Sequence, residues 1–261
     1  MQPAVAALEF AGVTRAFAQK SGTPLVAVRD VSFVVKPGEF VSVVGPSGCG
    51  KSTILNMTAG LDEPTEGVVR VSGEIVKGPN SHVGFMLQKD LLLPWRSIVR
   101  NVEFGLETRG LTRREMRERA LLELAHCKLA EFAEHYPHQL SGGMRQRAAL
   151  ARTLAIRPDI ILLDEPFSAL DAQTKMLLQR NFGATIAETG VTALLITHDL
   201  AEAVAMSDRV LVMSERPGHI IEEIVIDLPN RENPMARRAH PRTGGFIARM
   251  LELLHLNDRA A

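Results

Sequence analysis

Hydrophobic positions along this chain follow two patterns that alternate in blocks. Dense apolar runs at residues 160–163 and 191–196 predict strands buried on both faces of a mainly parallel sheet. Residues 31–35 and 40–44 are further runs of β character, separated by Lys36-Pro37-Gly38-Glu39, whose Pro-Gly pair predicts a tight reversal. Helical spacing over 53–61 stops at Glu63-Pro64-Thr65-Glu66-Gly67, ahead of β-like stretches at 68–76 and 82–87. From about residue 90 to residue 158 the period is helical, with a charged face over 113–123 and a closing helix over 144–155. Strand patterns resume afterwards and continue at 210–213 and 220–226. This order predicts an α/β core interrupted by an inserted helical subdomain, with no internal repeat. The tail from residue 230 is rich in Pro and Arg, then places Phe246, Ile247, Met250, Leu251, Leu254 and His255 on one face of a helix.

Candidate chemistry sits at the junctions of these blocks. Gly45-Pro46-Ser47-Gly48-Cys49-Gly50-Lys51-Ser52 follows the predicted strand 40–44 and leads through Thr53 into the predicted helix. Successive backbone N–H groups in such a loop wrap a polyphosphate, while Lys51 supplies charge and the Ser52 hydroxyl a Mg²⁺ ligand. Alone, the loop leaves ATPase, kinase and GTPase open. Asp164, at the end of the buried run 160–163, is placed to hold Mg²⁺ opposite Ser52, and Glu165 directly after it to polarise a water for attack on the γ-phosphate. His198 follows the run 191–196, at the carboxyl end of the sheet where open α/β folds bind ligands. Gln88 ends a strand and opens the helical segment, so its amide can report the γ-phosphate and metal across a hinge. The turn Ser141-Gly142-Gly143 opens a second helix with free N–H donors but no lysine, so it suits the completion of an anion site built elsewhere.

In this order, these residues resemble the ATP-binding cassette (ABC) ATPases, with Met144 where glutamine is more usual. The resemblance covers about residues 8 to 229. It implies a RecA-like P-loop core with an antiparallel β subdomain and an inserted helical subdomain at about 90–158, with residues 230–261 as a tail. It also implies that two chains meet head to tail, each Ser141 turn closing over ATP held by its mate's Lys51. Gln88 then matches the glutamine of the hinge loop, His198 the switch histidine, and Ser168-Ala169-Leu170-Asp171 the loop facing the opposite subunit, Asp171 being its communicating residue. Phe17 stands where the family often stacks a tyrosine on adenine; a core position is the other reading. The tail helix then packs on its own domain or its mate, or serves a regulatory or membrane-surface role.

Charge changes the picture in one respect. The 30 basic and 30 acidic residues cancel, which disfavours a dedicated nucleic-acid surface. Arg113, Arg114, Arg117 and Arg119 are interleaved with Glu115 and Glu118, as on a solvated helix face. Cys49 and Cys127 are the only cysteines, and one lies inside the phosphate loop, which points to a reducing compartment; Cys49 reads as a small loop filler. No secretory signal and no run of about 18 apolar residues is present.

Leu91-Leu92-Leu93-Pro94-Trp95-Arg96 after Gln88 is an apolar, proline-broken loop, either a groove for a helix of a membrane subunit or a segment buried in the helical subdomain. With Leu140-Ser141-Gly142-Gly143-Met144 and the stretch from Asp164 to Gln173, it resembles the ATP-binding subunits of bacterial nitrate, aliphatic sulfonate and taurine importers. The expectation is a homodimeric, Mg²⁺- and ATP-dependent hydrolase on the cytoplasmic face of the inner membrane. Its partners would be permease subunits and, indirectly, a solute-binding protein, with no nucleic acid. A soluble cassette ATPase acting on DNA or ribosomes is the alternative.

Overall fold

The computed structural model describes residues 5–19, 22–168 and 170–258, with side chains to Leu254 at the carboxyl end. Ala169 and the side chain of His255 therefore lie outside the described residues.

Three strands open the chain: β1 (Leu8–Phe17), β2 (Leu25–Val35) and β3 (Phe40–Val44). Helix α1 (Lys51–Ala59) follows, then β4 (Glu66–Val71), β5 (Glu74–Ile75) and β6 (Val83–Met86). The helical segment holds α2 (Ile98–Glu103), α3 (Arg113–His126) and α4 (Gly142–Ala155). After it come β7 (Ile160–Asp164), α5 (Ala172–Thr189), β8 (Thr192–Ile196), α6 (Leu200–Met206), β9 (Arg209–Met213) and β10 (Ile220–Val225). Helices α7 (Pro234–Arg238) and α8 (Thr243–Asp258) complete the tail.

Two sheets form, a four-stranded one in the order β2-β1-β4-β5 and a six-stranded one in the order β10-β9-β3-β8-β7-β6. Pairing is antiparallel throughout the small sheet, and parallel in the large one except where β10 meets β9. The dense apolar runs are explained by the large sheet's two covered faces. Ile160 and Leu162 point into a core shared with the small sheet and α1, whereas Ile161 and Leu163 point into the core of the helical subdomain. Leu194 and Ile196 against Ala193 and Leu195 repeat that division. Every position is therefore apolar for a reason, and α1 lies between the sheets with Ile54, Leu55 and Met57 fully buried.

Several boundaries differ from the pattern-based ones. The reversal at 36–39 exists, but it hands the chain from one sheet to the other: β2 pairs with β1, while β3 lies between β8 and β9. Strand β1 carries little clean alternation because its pairing with β2 shifts register three times, between Phe10 and Ala16. The stretch 68–76 is two strands, broken at Ser72 and Gly73, which both take positive φ (51° and 83°). Helix α1 starts two residues before the predicted 53, since the phosphate loop itself forms its first turn.

The Arg-rich helix α3 is closed by a reciprocal cap. Thr112 Oγ1 accepts from Glu115 N–H at 3.3 Å, and Glu115 Oε2 accepts from Thr112 N–H at 2.7 Å. In the tail helix, Met250 and Leu253 are buried against β9 and α6, with Phe246, Ile247 and Leu254 partly so, whereas Leu251 is 43% exposed. The apolar face is therefore rotated to include Leu253 and to leave out Leu251, and it packs on its own chain. No described helix is long and apolar enough to cross a membrane.

Candidate nucleotide site

Strand β3 ends at the centre of the large sheet, and the chain turns there into α1. Gly50 caps α1 with φ 103°, no side chain caps the helix, and no acidic residue stands in its first turn. The first N–H groups of α1 are thus left for an outside acceptor. A Cβ on Gly50 would come within 2.4 Å of Val28 Cγ1, so the loop's course against β2 requires glycine. Gly48 (φ 77°) has nothing within 4 Å of its notional Cβ and faces open space. Lys51 is 8% exposed, and its ammonium donates to Gly45 O at 2.7 Å and Pro46 O at 2.8 Å. A buried cation whose partners are two carbonyls and the Cys49 sulfur, with no carboxylate bonded to it, set among free N–H groups, is an environment suited to a polyphosphate.

A cleft of about 370 Å³ lies over this loop, lined by Phe17, Ala27, Gly48, Lys51, Ser52 and Glu165 among others. Phe17 is half-buried and absent from the core clusters; the Arg15 guanidinium sits 4.5 Å from its ring centroid, held in turn by Asp62 at 2.9 Å. A larger cleft, about 710 Å³, opens near Gly38, Pro158 and Thr192 at the amino ends of the strands. None of the predicted chemistry lies there.

The acidic pair stands at the carboxyl end of β7. Burial pushes the Asp164 carboxyl above its ordinary range, the neighbouring Glu165 adds to this, and Lys51 works against it. Glu165 has φ 45°, and its N–H donates to Ile196 O at 3.0 Å as the last rung of the parallel β7–β8 ladder. This aims the carboxylate at His198, whose Nδ1 is 3.1 Å from Glu165 Oε2. The two residues are thus not a helix-start acidic pair, because α5 begins only at Ala172.

Gln88 does not line the cleft; it reaches Glu165 through one intermediate. Its Nε2 donates to Ser168 Oγ at 2.9 Å, and that hydroxyl donates to Glu165 O at 2.9 Å. Sequence reasoning missed what holds Gln88 in place. The Gln146 amide in α4 donates to Gln88 O at 3.0 Å, Arg145 pairs with Asp90 at 3.0 Å, and Arg152 donates to Asp90 O and Leu91 O at 2.7 and 2.8 Å. The crowding of basic and amide residues in the turns after Ser141-Gly142-Gly143 was the only sequence trace of this clamp.

Ser141 is exposed, Gly142 half-buried and Gly143 buried, and none of the three lines the Lys51 cleft of its own chain. Ser141 Oγ accepts from Met144 N–H at 3.3 Å and so caps α4. Gly142 and Gly143 lie against Leu170 and Thr174, where a Cβ would come within 3.5 and 2.9 Å of their side chains. Met144 is half-buried against the helical core. Asp171 is exposed and caps α5, accepting from Thr174 N–H at 3.0 Å. One chain therefore joins the Ser141 and Asp171 turns to each other but not to its own phosphate loop. Cys49 is 1% exposed and fills the space beside Gly45, where a Cβ would meet its Sγ at 3.0 Å; burial raises its thiol, with Lys51 opposing.

Comparison with known proteins agrees with this geometry. Residues 28–168 match the family model described as "ABC transporter". The nitrate import ATP-binding protein NrtD of Synechocystis is 42% identical over 233 residues, 89% of this chain and 87% of that one. The taurine import ATP-binding protein TauB of Yersinia pestis is 42% identical over 246 residues, 93% and 94% of the two chains. A solved ATP-binding cassette, described as a dimer in a post-hydrolysis state bound to ADP and Pi, superposes with TM-score 0.71 at 34% identity, over 84% of this chain and 98% of that one. The chain belongs to the ABC transporter family, as one of its ATP-binding, ATP-hydrolysing subunits.

Proposed function

We propose that this chain is the ATPase subunit of an importer for a small anion, a sulfonate, taurine or nitrate, working as a pair beneath separate permease subunits. The observation that carries the reading is the division of one site between two places: a phosphate cradle at Lys51 and a donor-rich turn at Ser141 that lies outside it. Two chains related by a two-fold axis bring each turn over the other's cradle, and the solved relative described as dimeric supports this. Residues 1–229 form the cassette, with the helical subdomain at about 90–158, and 230–261 its tail.

In this reading Gly45, Pro46, Ser47, Gly48, Cys49, Gly50, Ser52 and Thr53 cradle the phosphates with Lys51, and Phe17 offers its free ring face to adenine. Hard oxygen donors at Ser52 and Asp164 suit Mg²⁺, and Gln88, tied to Ser168 outside the cleft, would swing in to join them. No group of three or more His, Cys, Asp or Glu side chains that could hold a metal stands among the described residues. Mg²⁺ held there would supply positive charge to the triphosphate. Glu165 orients the attacking water, and His198, whose Nδ1 lies 3.1 Å from Glu165 Oε2, sets its imidazole beside the γ-phosphate. Ser141, Gly142 and Gly143 of the mate complete the shell, and Asp171 carries the contact between subunits.

Permease coupling is read at the loop after Gln88. Trp95 is 72% exposed, with Leu91 and Tyr136 also at the surface, so the tryptophan is not buried in the helical subdomain, whereas Leu92 of the same loop is. A shallow groove between Trp95, Arg100, Glu107, Glu134 and Tyr136 suits a short helix from a membrane partner on the cytoplasmic face. A solute-binding protein outside the membrane would deliver the anion, which does not touch this chain.

The test uses Glu165→Gln, which should bind Mg·ATP without turning it over. Light scattering should show mass doubling with Mg·ATP and reversal with ADP. A monomer with ATP, both alone and with permease present, would sink the shared-site reading. The solute class is tested by growth on taurine, alkanesulfonates or nitrate as sole sulfur or nitrogen source after deletion; unimpaired growth on all three would overturn it.

A further inference from the structure

The turn between β9 and β10 forms a wall of the nucleotide cleft that no role above accounts for. Ser214 closes this turn: its N–H donates to His219 O at 3.0 Å, and its Oγ accepts from His219 N–H at 2.9 Å. Gly218 is held on two sides. Its N–H donates to Ala27 O and its carbonyl accepts from Arg29 N–H, both at 2.9 Å, adding a short parallel bridge to β2 with Val28 opposite Gly218. On its other side stands the phosphate loop, where a Cβ on Gly218 would lie 1.9 Å from Cys49 O. The turn is thus wedged between β2 and the phosphate loop, and only glycine fits the wedge.

Two residues before that anchor, Arg216 lines the same cleft as Phe17, Leu25, Ala27, Lys51 and Glu165. The parallel bridge directs residue 216 back along β2 towards Leu25, which pairs with Phe17 across β1 and β2. Arg216 therefore stands where the apolar floor of Phe17, Leu25 and Ala27 meets the glycine-rich cradle. Its side chain is exposed and makes no hydrogen bond or ion pair among the described residues. Arg15, whose guanidinium stands over the Phe17 ring, is by contrast engaged with Asp62.

We propose that Arg216 is a further nucleotide ligand, its guanidinium holding the α-phosphate beside the ribose. The inference rests on the nucleotide reading of this cleft. A nucleoside on the floor and a polyphosphate in the cradle are joined by the α-phosphate, which must lie at their junction, where Arg216 is. Lys51, rooted at the first turn of α1, serves the distal phosphates. A planar guanidinium with five donors matches phosphate oxygens, and its length bridges an open cleft without ordering the turn anew.

The experiment measures equilibrium affinity of the full chain for ATP, ADP and ITP by calorimetry with Mg²⁺, alongside Lys51→Ala as a control. Arg216→Ala should weaken ATP and ADP by the same factor, about tenfold for one charge-assisted contact. Arg216→Lys should recover to within about threefold of wild type, because the charge is kept and the fork is lost. The preference for ATP over ITP should not move. Changes below twofold for both nucleotides would overturn the assignment, as would a loss confined to ATP, which marks a γ-phosphate contact. A changed base preference without rescue by lysine would overturn it in favour of stacking on the base. Should Arg216→Ala lower the melting temperature, Arg216→Gln replaces it in the same comparison. Failure of the nucleotide reading is separate: wild type would not bind ATP, or Lys51→Ala would bind it as well.

Discussion

Glu165 occupies the left-handed region that glutamate seldom adopts, at a cost of about 1–2 kcal/mol. The bond from its N–H to Ile196 O and the bond from Ser168 Oγ to its carbonyl hold it there, so the carboxylate is fixed toward His198 before any ligand arrives. Glu165→Gln should keep ATP affinity within about threefold and cut steady-state turnover by about 10² to 10³, the range for loss of a positioned general base; phosphate release measured beside nucleotide binding separates the two effects. Gly50→Ala should do the reverse, impairing binding first, because φ 103° and the 2.4 Å approach to Val28 exclude a methyl group. Cys127 supplies a test in pH. Burial, reinforced by the Glu123 carboxylate and opposed by Arg147, pushes its thiol from an ordinary 9.0 up to about 12. The unfolded thiol then loses its proton first, so stability is whole below pH 9 and falls between pH 9 and 12. Comparing urea midpoints at pH 8 and 10.5, the alkaline decline should be shallower in Cys127→Ala than in wild type, by about 1.4 kcal/mol per pH unit at most.

Helices α5 and α6 are tied together behind the site by a charged relay that begins beside His198. Lys175 Nζ meets Asp199 at 2.8 Å and Glu202 at 2.9 Å; Gln179 Nε2 donates to Glu202 at 2.9 Å, and Arg238 of α7 donates to Gln179 Oε1 at 2.8 Å. Burial opposes the charge on Asp199, but the hydrogen bond and charge of Lys175, with Glu202 N–H, hold its carboxyl below the ordinary range. Glu202, 2% exposed, goes the other way: burial raises it and Lys175 offsets only part. Asp199 therefore contributes stability above the ordinary carboxylate pKa, lost as pH falls through its depressed value, whereas the raised Glu202 destabilises as pH climbs through its own. Lys175→Met strands the Glu202 carboxylate in the interior and should cost about 3 kcal/mol, read from denaturant unfolding; a loss below about 0.5 kcal/mol would show the relay to be dispensable. At this scale the pattern reading located most elements but misjudged their ends. Local periodicity reports which face is buried, and it carries no information about the partner strand. That is why β2 and β3 looked like consecutive strands of one kind, although they belong to different sheets.

The whole molecule places a rigid cradle on the large sheet and a clamp on the helical subdomain, joined through the loop from Gln88 to Leu93. Three side chains of α4 grip that loop from one side, and Gln88 reaches Ser168 on the other. A push on the exposed Trp95 is therefore positioned to reach Glu165 through the loop. Trp95→Ala should leave nucleotide affinity of the isolated chain within about twofold and abolish co-purification with the permease, because large exposed aromatics dominate such interfaces; retained co-purification would relocate the docking surface. What the sequence determined by itself was the local chemistry: the phosphate loop, the acidic pair, the Ser141 turn and the buried parallel strands. Each needs only neighbouring residues, since N–H donors, glycine φ angles and apolar runs are properties of a few consecutive positions. Tertiary structure alone decided the rest. It assigned β2 and β3 to separate sheets, rotated the tail helix onto Leu253, threaded Gln88 through Ser168 to Glu165, and wedged the Gly218 turn so that Arg216 faces the cleft. Those contacts join residues tens of positions apart or more, and their energies exist only once packing has fixed which surfaces meet.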